Sequence, residues 1–268
     1  MKFYDPIKDK LIFIGSRADA NFWSKHWEQY FEDSDYHLQD FRETFPVRVT
    51  KKYLSTNSWV IDAGCGSGSV SIGLAQEGYQ SIGLDYSEKT IAKLKKVVTF
   101  PNVQFIHDDV FQMERIADGV IDGYWSLGVI EHFWEGYDEI LFHAHRVLKK
   151  DGMLFLTFPS ISPLRRLKSL AGCYPELKVT REPKDFYQFA LNKYNVINDL
   201  KKSGFSIIEV KGFDAVKGMK DEVPLVRTFL QRIYSSRKFS AKIFRFVFTV
   251  IFGRFSGHVT LIVAKKCS

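Results

Sequence analysis

The sequence predicts an α/β fold built on a doubly wound parallel sheet. Three observations predict it. A strand, a glycine-rich turn and the start of a helix follow one another at Trp59-Val-Ile-Asp-Ala-Gly-Cys-Gly-Ser-Gly-Ser69. From there to Phe158, short apolar runs alternate with segments of helical period. The 268 residues, 45% hydrophobic and 26% charged, suffice for one elaborated α/β domain or at most two small ones.

The glycine turn is the most informative element. Trp59 to Ile61 read as a short buried strand that Asp62 closes, and Val70, Ile72, Leu74 and Ala75 begin an apolar helical face. Between them, Gly64, Gly66 and Gly68 leave backbone N–H groups bare at a helix N-terminus, where a nucleotide-like ligand can approach. The spacing is G-x-G-x-G. The dinucleotide fingerprint needs G-x-G-x-x-G, and Ser69 stands where its third glycine belongs. The chain has no G-x-x-x-x-G-K-[ST], which excludes a phosphate-cradling P-loop.

Along the chain, residues Met1 to Ser16 show no clear period. Trp23, Trp27, Tyr30 and Phe31 fall at helical spacing within Asp19 to Phe31, as a helix docked on the core or a lid over a ligand would require. A second helix is expected from about Phe45 to Leu54. Gly78 stops the helix after the turn, and Tyr79 to Asp85 reads as the second strand. Asp85 comes 21 residues after Gly64, at the tip of the neighbouring strand, where a carboxylate can accept from both hydroxyls of a ribose. Ser87 is a good N-cap for a helix with Ile91, Leu94, Val97 and Val98 inward.

Val103 to His107 is the third strand, followed by Asp108-Asp109-Val110. Gly119 to Leu127 is the fourth, running into Gly128-Val-Ile-Glu-His-Phe133. A helix from Tyr137 to Lys149 and a strand from Met153 to Phe158 complete the alternation. Ser160 to Phe186 is basic, proline-punctuated and irregular. A helix with Val196, Ile197 and Leu200 inward follows, then strands at Phe205 to Lys211 and His258 to Ala264. The polar ends of the first four strands are placed to meet in one crevice at the carboxyl edge of the sheet.

Charge is unevenly spread. Residues 223–256 hold seven basic side chains (Arg227, Arg232, Arg237, Lys238, Lys242, Arg245, Arg254) and no acidic one, so they carry the whole formal excess of +7. So local an excess argues against a nucleic-acid surface. Cys65, Cys173 and Cys267 make neither metal-ligand spacing nor an even disulfide framework, which suits a reducing, cytoplasmic setting. Met1 to Lys10 is polar, so no leader is expected.

Asp62-Ala-Gly-Cys-Gly-Ser-Gly68 resembles motif I of the class I S-adenosylmethionine-dependent methyltransferases. Asp85 matches the acidic residue of motif II, and Phe105-Ile-His-Asp-Asp-Val110 resembles the motif that follows it. Ile121-Asp-Gly-Tyr-Trp-Ser-Leu-Gly-Val-Ile-Glu-His132 resembles motif IV of the methyltransferase type 11 group, which includes quinone-biosynthesis enzymes. The four motifs stand in order over about residues 58 to 160. The resemblance implies a mostly parallel, seven-stranded Rossmann-like sheet with an antiparallel last strand. It implies S-adenosylmethionine held by Asp62, Gly64, Cys65, Gly66 and Gly68, by Asp85 and Tyr86 at the ribose, by Asp109 and Val110 at the adenine, and by Leu127 at the methionine part. Residues 58–212 would be the cofactor-binding core, with an acceptor-side insertion at 160–190 and 257–268 as its final strand. Residues 1–57 would be a helical lid. Residues 213–256 exceed the short connection usual in the family and would be a helical cap.

Methyl transfer from a sulfonium is an in-line displacement, so the protein's task is to position the acceptor and exclude water. A hydroxyl acceptor gains from a general base, for which His132, with Glu131 beside it, is the best-placed candidate. The other reading of His132 is a packed or hydrogen-bonded residue at the rim. Trp23, Trp27 and Tyr187 are the candidate lid and acceptor contacts. His143 and His145 are two apart on a helix and cannot form an i, i+4 metal pair, so no metal is expected. The expected reaction is O-methylation of a small-molecule or lipid-linked acceptor. A nicotinamide-dependent oxidoreductase and a non-catalytic membrane-surface protein on the same fold are the alternatives.

In the basic segment, Lys238, Lys242, Arg245 and Thr249 share one helical face and Phe and aliphatic residues fill the rest. The favoured reading packs that apolar face on the domain and leaves the basic face in water. The alternative lays the segment in the interface of an anionic membrane, since its apolar stretch falls far short of the roughly 20 residues that span a bilayer.

Overall fold

The computed structural model describes residues 1–28, 30, 36, 39–177 and 181–267. Its centre is a seven-stranded sheet. Strands β3 (Trp59–Ala63), β4 (Gln80–Asp85), β5 (Val103–His107), β6 (Ile121–Leu127) and β7 (Leu148–Pro159) run parallel. The last strand, β10 (Val259–Lys266), inserts antiparallel between β7 and β9 (Phe205–Phe213), so the order is β5-β4-β3-β6-β7-β10-β9. Helices α2 (Phe45–Tyr53), α3 (Ser69–Gln76), α4 (Glu88–Val97), α5 (Asp138–Val147) and α7 (Lys193–Lys202) accompany these strands. This is the expected class I architecture.

The inner strands are apolar on both faces because both faces are covered. Successive side chains alternate between two cores. Ile61, Tyr124, Leu154 and Ile262 pack in one, while Val60, Trp125, Phe155 and Leu261 pack in the other. Trp125 stacks on Phe155 with ring centroids 4.8 Å apart and donates its indole N–H to Thr50 of α2 at 2.8 Å.

Three regions differ from the sequence expectation. The segment 1–57 does not open as a helical lid: β1 (Lys2–Asp5) and β2 (Lys10–Ile14) form a hairpin, and β8 (Phe186–Ala190) joins it in a second sheet of order β1-β2-β8. The helical part, α1, covers Ala20–Glu28, and Phe31 lies outside the described residues. The segment read as irregular contains α6 (Pro163–Leu170), which Ser162 caps by accepting from the Arg165 N–H.

The third difference lies in the cap, where α8 (Ala215–Glu222), α9 (Pro224–Ser235) and α10 (Phe239–Ser256) follow one another. Arg245, read from the sequence as facing water, is half-buried and donates to the carbonyls of Ile233, Tyr234 and Ser236 at the end of α9. Carbonyls at a helix C-terminus lack the full set of intrahelical partners, and a cation there supplies donors and complements the negative end of the helix. The orientation that results points the apolar face of α10 outward, the reverse of the favoured sequence reading.

A buried ionic cluster ties the cap to the rest. Glu222 of α8 accepts from Arg165 at 3.0 Å, Lys2 at 2.7 Å, Lys168 at 2.9 Å and Tyr174 at 2.7 Å. Arg165, 1% exposed, also donates to His258 Nδ1 at 2.8 Å and to the Ser160 carbonyl at 2.8 Å. Burial alone would raise the Glu222 pKa. The Arg165 charge and the Lys2 and Lys168 hydrogen bonds outweigh it and hold the carboxyl at about 2. Glu222→Ala should therefore lower stability by about 3–5 kcal/mol in urea unfolding, because it leaves a buried guanidinium unpaired. The wild-type cluster contributes fully above the ordinary carboxyl pKa of 4.5 and should lose its contribution as pH falls toward 2. A variant whose unfolding midpoint matches wild type at neutral pH would refute this.

Candidate active site

The site forms where β3 and β4 end. The N–H groups of Gly64 and Cys65 both donate to the Leu84 carbonyl, at 2.7 and 2.9 Å, which ties the glycine turn to the neighbouring strand. The Gly66 N–H donates to Asp85 Oδ2 at 3.0 Å, and the Ser87 N–H to Asp85 Oδ1 at 2.9 Å. Burial pushes the Asp85 pKa up, and these two N–H groups oppose that by stabilising the charged form. Asp62 lies beneath the turn, buried, and accepts from Ser71 Oγ at 3.1 Å. Burial raises it to about 7.

A cavity of about 410 Å³ opens over these strand ends. Gly64, Asp85, Tyr86, Asp109, Val110 and Leu127 line it, together with Trp23 and Trp27 of α1 and His132. Residues from β3, β4, β5 and β6 thus converge. The loop distinguishes its two aspartates: Asp108 accepts from the N–H of Arg115, while Asp109 lines the cavity and accepts from the Phe111 N–H at 2.9 Å.

Other candidates stand behind the cavity wall. Cys65 packs with Ile72, Ile91 and Phe105, and burial pushes its thiol well above the usual range. Gly68 backs onto the core, where a Cβ would fall 2.8 Å from Leu94. Glu131 is buried, with Oε2 unpartnered, and burial raises its pKa to about 8. It is therefore mostly neutral near pH 7. Tyr187 of β8 does not line this cavity but holds His132, accepting from Nδ1 through its backbone carbonyl at 2.8 Å. Ala18, Phe111, Gly128, Val129 and Phe133 also line the cavity and were not anticipated. They sit in loops between regular elements, where no hydrophobic period marks them.

The Tyr187 carbonyl can only accept, so His132 must carry its proton on Nδ1. Nε2 is then the basic nitrogen. Burial lowers the His132 pKa, partly offset by the carbonyl, so the ring is neutral at physiological pH. Trp23 and Tyr187 pack edge-on against it, with centroids 5.0 and 5.4 Å away. A second cavity of about 350 Å³, lined by Arg17, Asp19, Trp134, Glu135, Glu182 and Phe186, shares Ala18, Phe111, His132 and Phe133 with the first. His132 therefore stands between two chambers.

Helix α1 roofs the first chamber. Trp23 stacks on Trp27 at 5.8 Å, and Ser24 Oγ lies 3.0 Å from Ser87 Oγ, beside Asp85. A Cβ on Gly66 would fall 2.5 Å from the Trp27 indole, at φ +49°. Gly66→Ala should thus cost about 1–3 kcal/mol in urea unfolding, part backbone strain and part displaced indole. Adding Trp27→Ala should recover the second part. Strict additivity of the two substitutions would show that Trp27 does not rest on Gly66.

The model of the methyltransferase domain family matches residues 61–156. A probable S-adenosylmethionine-dependent methyltransferase of Mycolicibacterium smegmatis is 30% identical over 101 residues, 38% of each chain. The magnesium-protoporphyrin O-methyltransferase of Synechocystis is 34% identical over 155 residues, 55% of this chain and 63% of that protein. The chain thus spans less than two thirds of the length of these curated relatives. A putative S-adenosylmethionine-dependent methyltransferase from Listeria monocytogenes shares the fold, with a TM-score of 0.55, 19% identity, and coverage of 83% of this chain and 98% of that one.

Proposed function

We propose that this chain, whose α/β core is a class I S-adenosylmethionine-dependent methyltransferase domain, transfers a methyl group to a hydroxyl of a small-molecule acceptor. The observation that carries this reading is the position of His132, neutral and correctly protonated for a base, between a chamber suited to the cofactor and a second chamber.

The residues present fit S-adenosylmethionine. The turn's N–H groups are spent within the protein and Trp27 covers Gly66, so the fit rests on Gly64 and the carboxylates at the cavity, whose lining among the described residues holds no Lys or Arg for a phosphate. Asp85, anchored by two N–H groups, has lone pairs left for two ribose hydroxyls, and Asp109 can accept from an adenine amino group. Tyr86 and Val110 flank these carboxylates and Leu127 closes the β6 side. When bound, the cofactor supplies an electrophilic methyl on a positively charged sulfur. The protein's part is to hold the acceptor in line and keep water out, which the Trp23–Trp27 roof serves.

His132 Nε2 takes the hydroxyl proton as the acceptor oxygen gains its methyl. The Tyr187 carbonyl keeps the other ring proton in place and stabilises the imidazolium that forms. Glu131, mostly neutral near pH 7, does not serve as the counter-ion. The aromatic wall of Phe111, Phe133, Trp134 and Phe186 suits a ring-bearing, quinone-like acceptor, and a lipid-linked one is compatible with the exposed cap. The O-methyltransferase relative supports the choice of oxygen over nitrogen.

Isothermal titration with S-adenosylhomocysteine tests the cofactor half. Asp85→Ala should weaken binding by about 1.5–3 kcal/mol, the cost of unmade charge-assisted hydrogen bonds. An unchanged dissociation constant would remove Asp85 from the site.

His132→Ala should lower turnover roughly 10²–10⁴-fold with cofactor affinity nearly intact. In the wild type, kcat/KM should fall on the acid side as His132 gains a proton, at a pH below 6.5 because burial lowers its pKa. A wild-type rate in the variant would leave positioning as the whole mechanism.

A further inference from the structure

Helix α10 is inside out for a helix in water. Phe239, Ile243, Phe246, Val247, Val250 and Ile251 recur at helical spacing and all are exposed: Phe239 by 77%, Phe246 by 71%, Val250 by 69%. The opposite face carries the half-buried Arg245 and Thr249 and the buried Gly253 and Ser256. This orientation is enforced. Arg245 is bonded to two α9 carbonyls and to that of the capping Ser236. Close backbone approach also fixes it: a Cβ on Gly218 would fall 1.7 Å from the Ser256 carbonyl oxygen, and one on Gly212 would fall 2.8 Å from that of Gly253. Leu225 and Phe229 of α9, 93% and 60% exposed, add to the apolar surface of the cap.

We propose that this face of the cap docks on an anionic lipid surface. Charge selects the occupant. Arg227, Arg232, Arg237, Lys238, Lys242 and Arg254 are exposed on the same segment, and residues 223–256 contain no acidic side chain. Two copies of the cap laid face to face would bring these cations together without a counter-charge, whereas anionic headgroups supply one. An apolar, phenylalanine-rich stripe edged by Lys and Arg is the pattern of a helix lying in the headgroup region. Among the described residues no helix is long and apolar enough to cross a membrane, so α10 lies in the interface plane.

Topology gives the docking a use. The cap is inserted between the end of β9 and the start of β10, where Val259 pairs with both Phe213 and Pro159. That is the carboxyl edge of the sheet, the edge at which the cofactor chamber opens. Docking would bring this edge to the lipid. The inference goes beyond the methyl-transfer reading and does not depend on it, since vesicle binding needs no cofactor.

The test is co-sedimentation with vesicles of phosphatidylglycerol and phosphatidylcholine, against phosphatidylcholine alone, with light scattering for the oligomeric state. The wild type should bind the anionic vesicles at low salt and leave them as salt rises. Phe246→Glu with Val250→Glu should lower partitioning by roughly tenfold or more. Both positions are exposed, so the circular dichroism spectrum should be unchanged. If that double variant fails to fold, Lys238→Glu with Lys242→Glu provides the same test on charge alone and should abolish the preference for anionic vesicles. Indifference of the wild type to vesicles, equal binding to both compositions, or a stable dimer that the Phe246 and Val250 substitutions dissolve would each overturn the proposal.

Discussion

The site depends on how the first glycine turn is fastened. One carbonyl, that of Leu84, accepts from two successive N–H groups of the turn, and one carboxylate, Asp85, accepts from the next turn N–H and from the N-terminus of α4. The ends of β3 and β4 are thereby held together. On the other side of β3 the chain continues to β6 and β7, so the sheet order reverses direction at β3. A reversal of this kind leaves a gap between outgoing loops, and open α/β sheets bind their ligands there. The backbone bonds decide where the gap is and at the same time keep a buried carboxylate charged enough to serve it.

The second half of the site is assembled from parts remote in sequence. His132 sits on a short 3-10 turn after β6, yet its proton is placed by the Tyr187 carbonyl of β8. Strand β8 owes its position to β2, which pairs with it at Leu11 to Ile14. Asp9, in the hairpin turn, adds a bond to Arg166 at 2.5 Å. The small sheet therefore positions the carbonyl that sets the tautomer of the candidate base. Helix α1 reaches the site from the same N-terminal segment, and its Ser24 meets Ser87 beside Asp85. Helix α1, the candidate base and the Asp85 carboxylate are thereby mechanically joined.

What was legible in the sequence is what local pattern encodes. The parallel strands, their glycine turn, Asp85 and the Ser87 cap each announce themselves within a few residues, because buried strands need continuous apolar runs and turns need particular backbone freedom. The small sheet was not legible. Its strands are half-buried or short, and β2 and β8 are about 175 residues apart along the chain, so only the folded state shows the pairing. The cavity residues in loops, Phe111, Val129 and Phe133, have no period to reveal them. Helix α10 shows another limit. Its two faces were readable, but which face turns inward was decided by the carbonyls at the end of α9 that Arg245 bonds and by glycines that permit close contact. Apolar content alone pointed the other way.

The cap is held to the core by groups that tolerate no other arrangement. Glu222 and Arg165 are each buried and bonded to one another, Glu222 also to Lys2 of β1, Lys168 of α6 and Tyr174, and Arg165 also to His258 beside β10. Separating them would leave unpaired charge in a dry interior, at a cost of about 3–5 kcal/mol. Rotating α10 to hide Phe246 and Val250 would also withdraw Arg245 from α9. The exposed face is therefore a consequence of polar groups satisfied within the cap. An apolar surface presented this rigidly would meet a partner with little loss of conformational entropy, since the side chains that hold its backbone in place are already ordered.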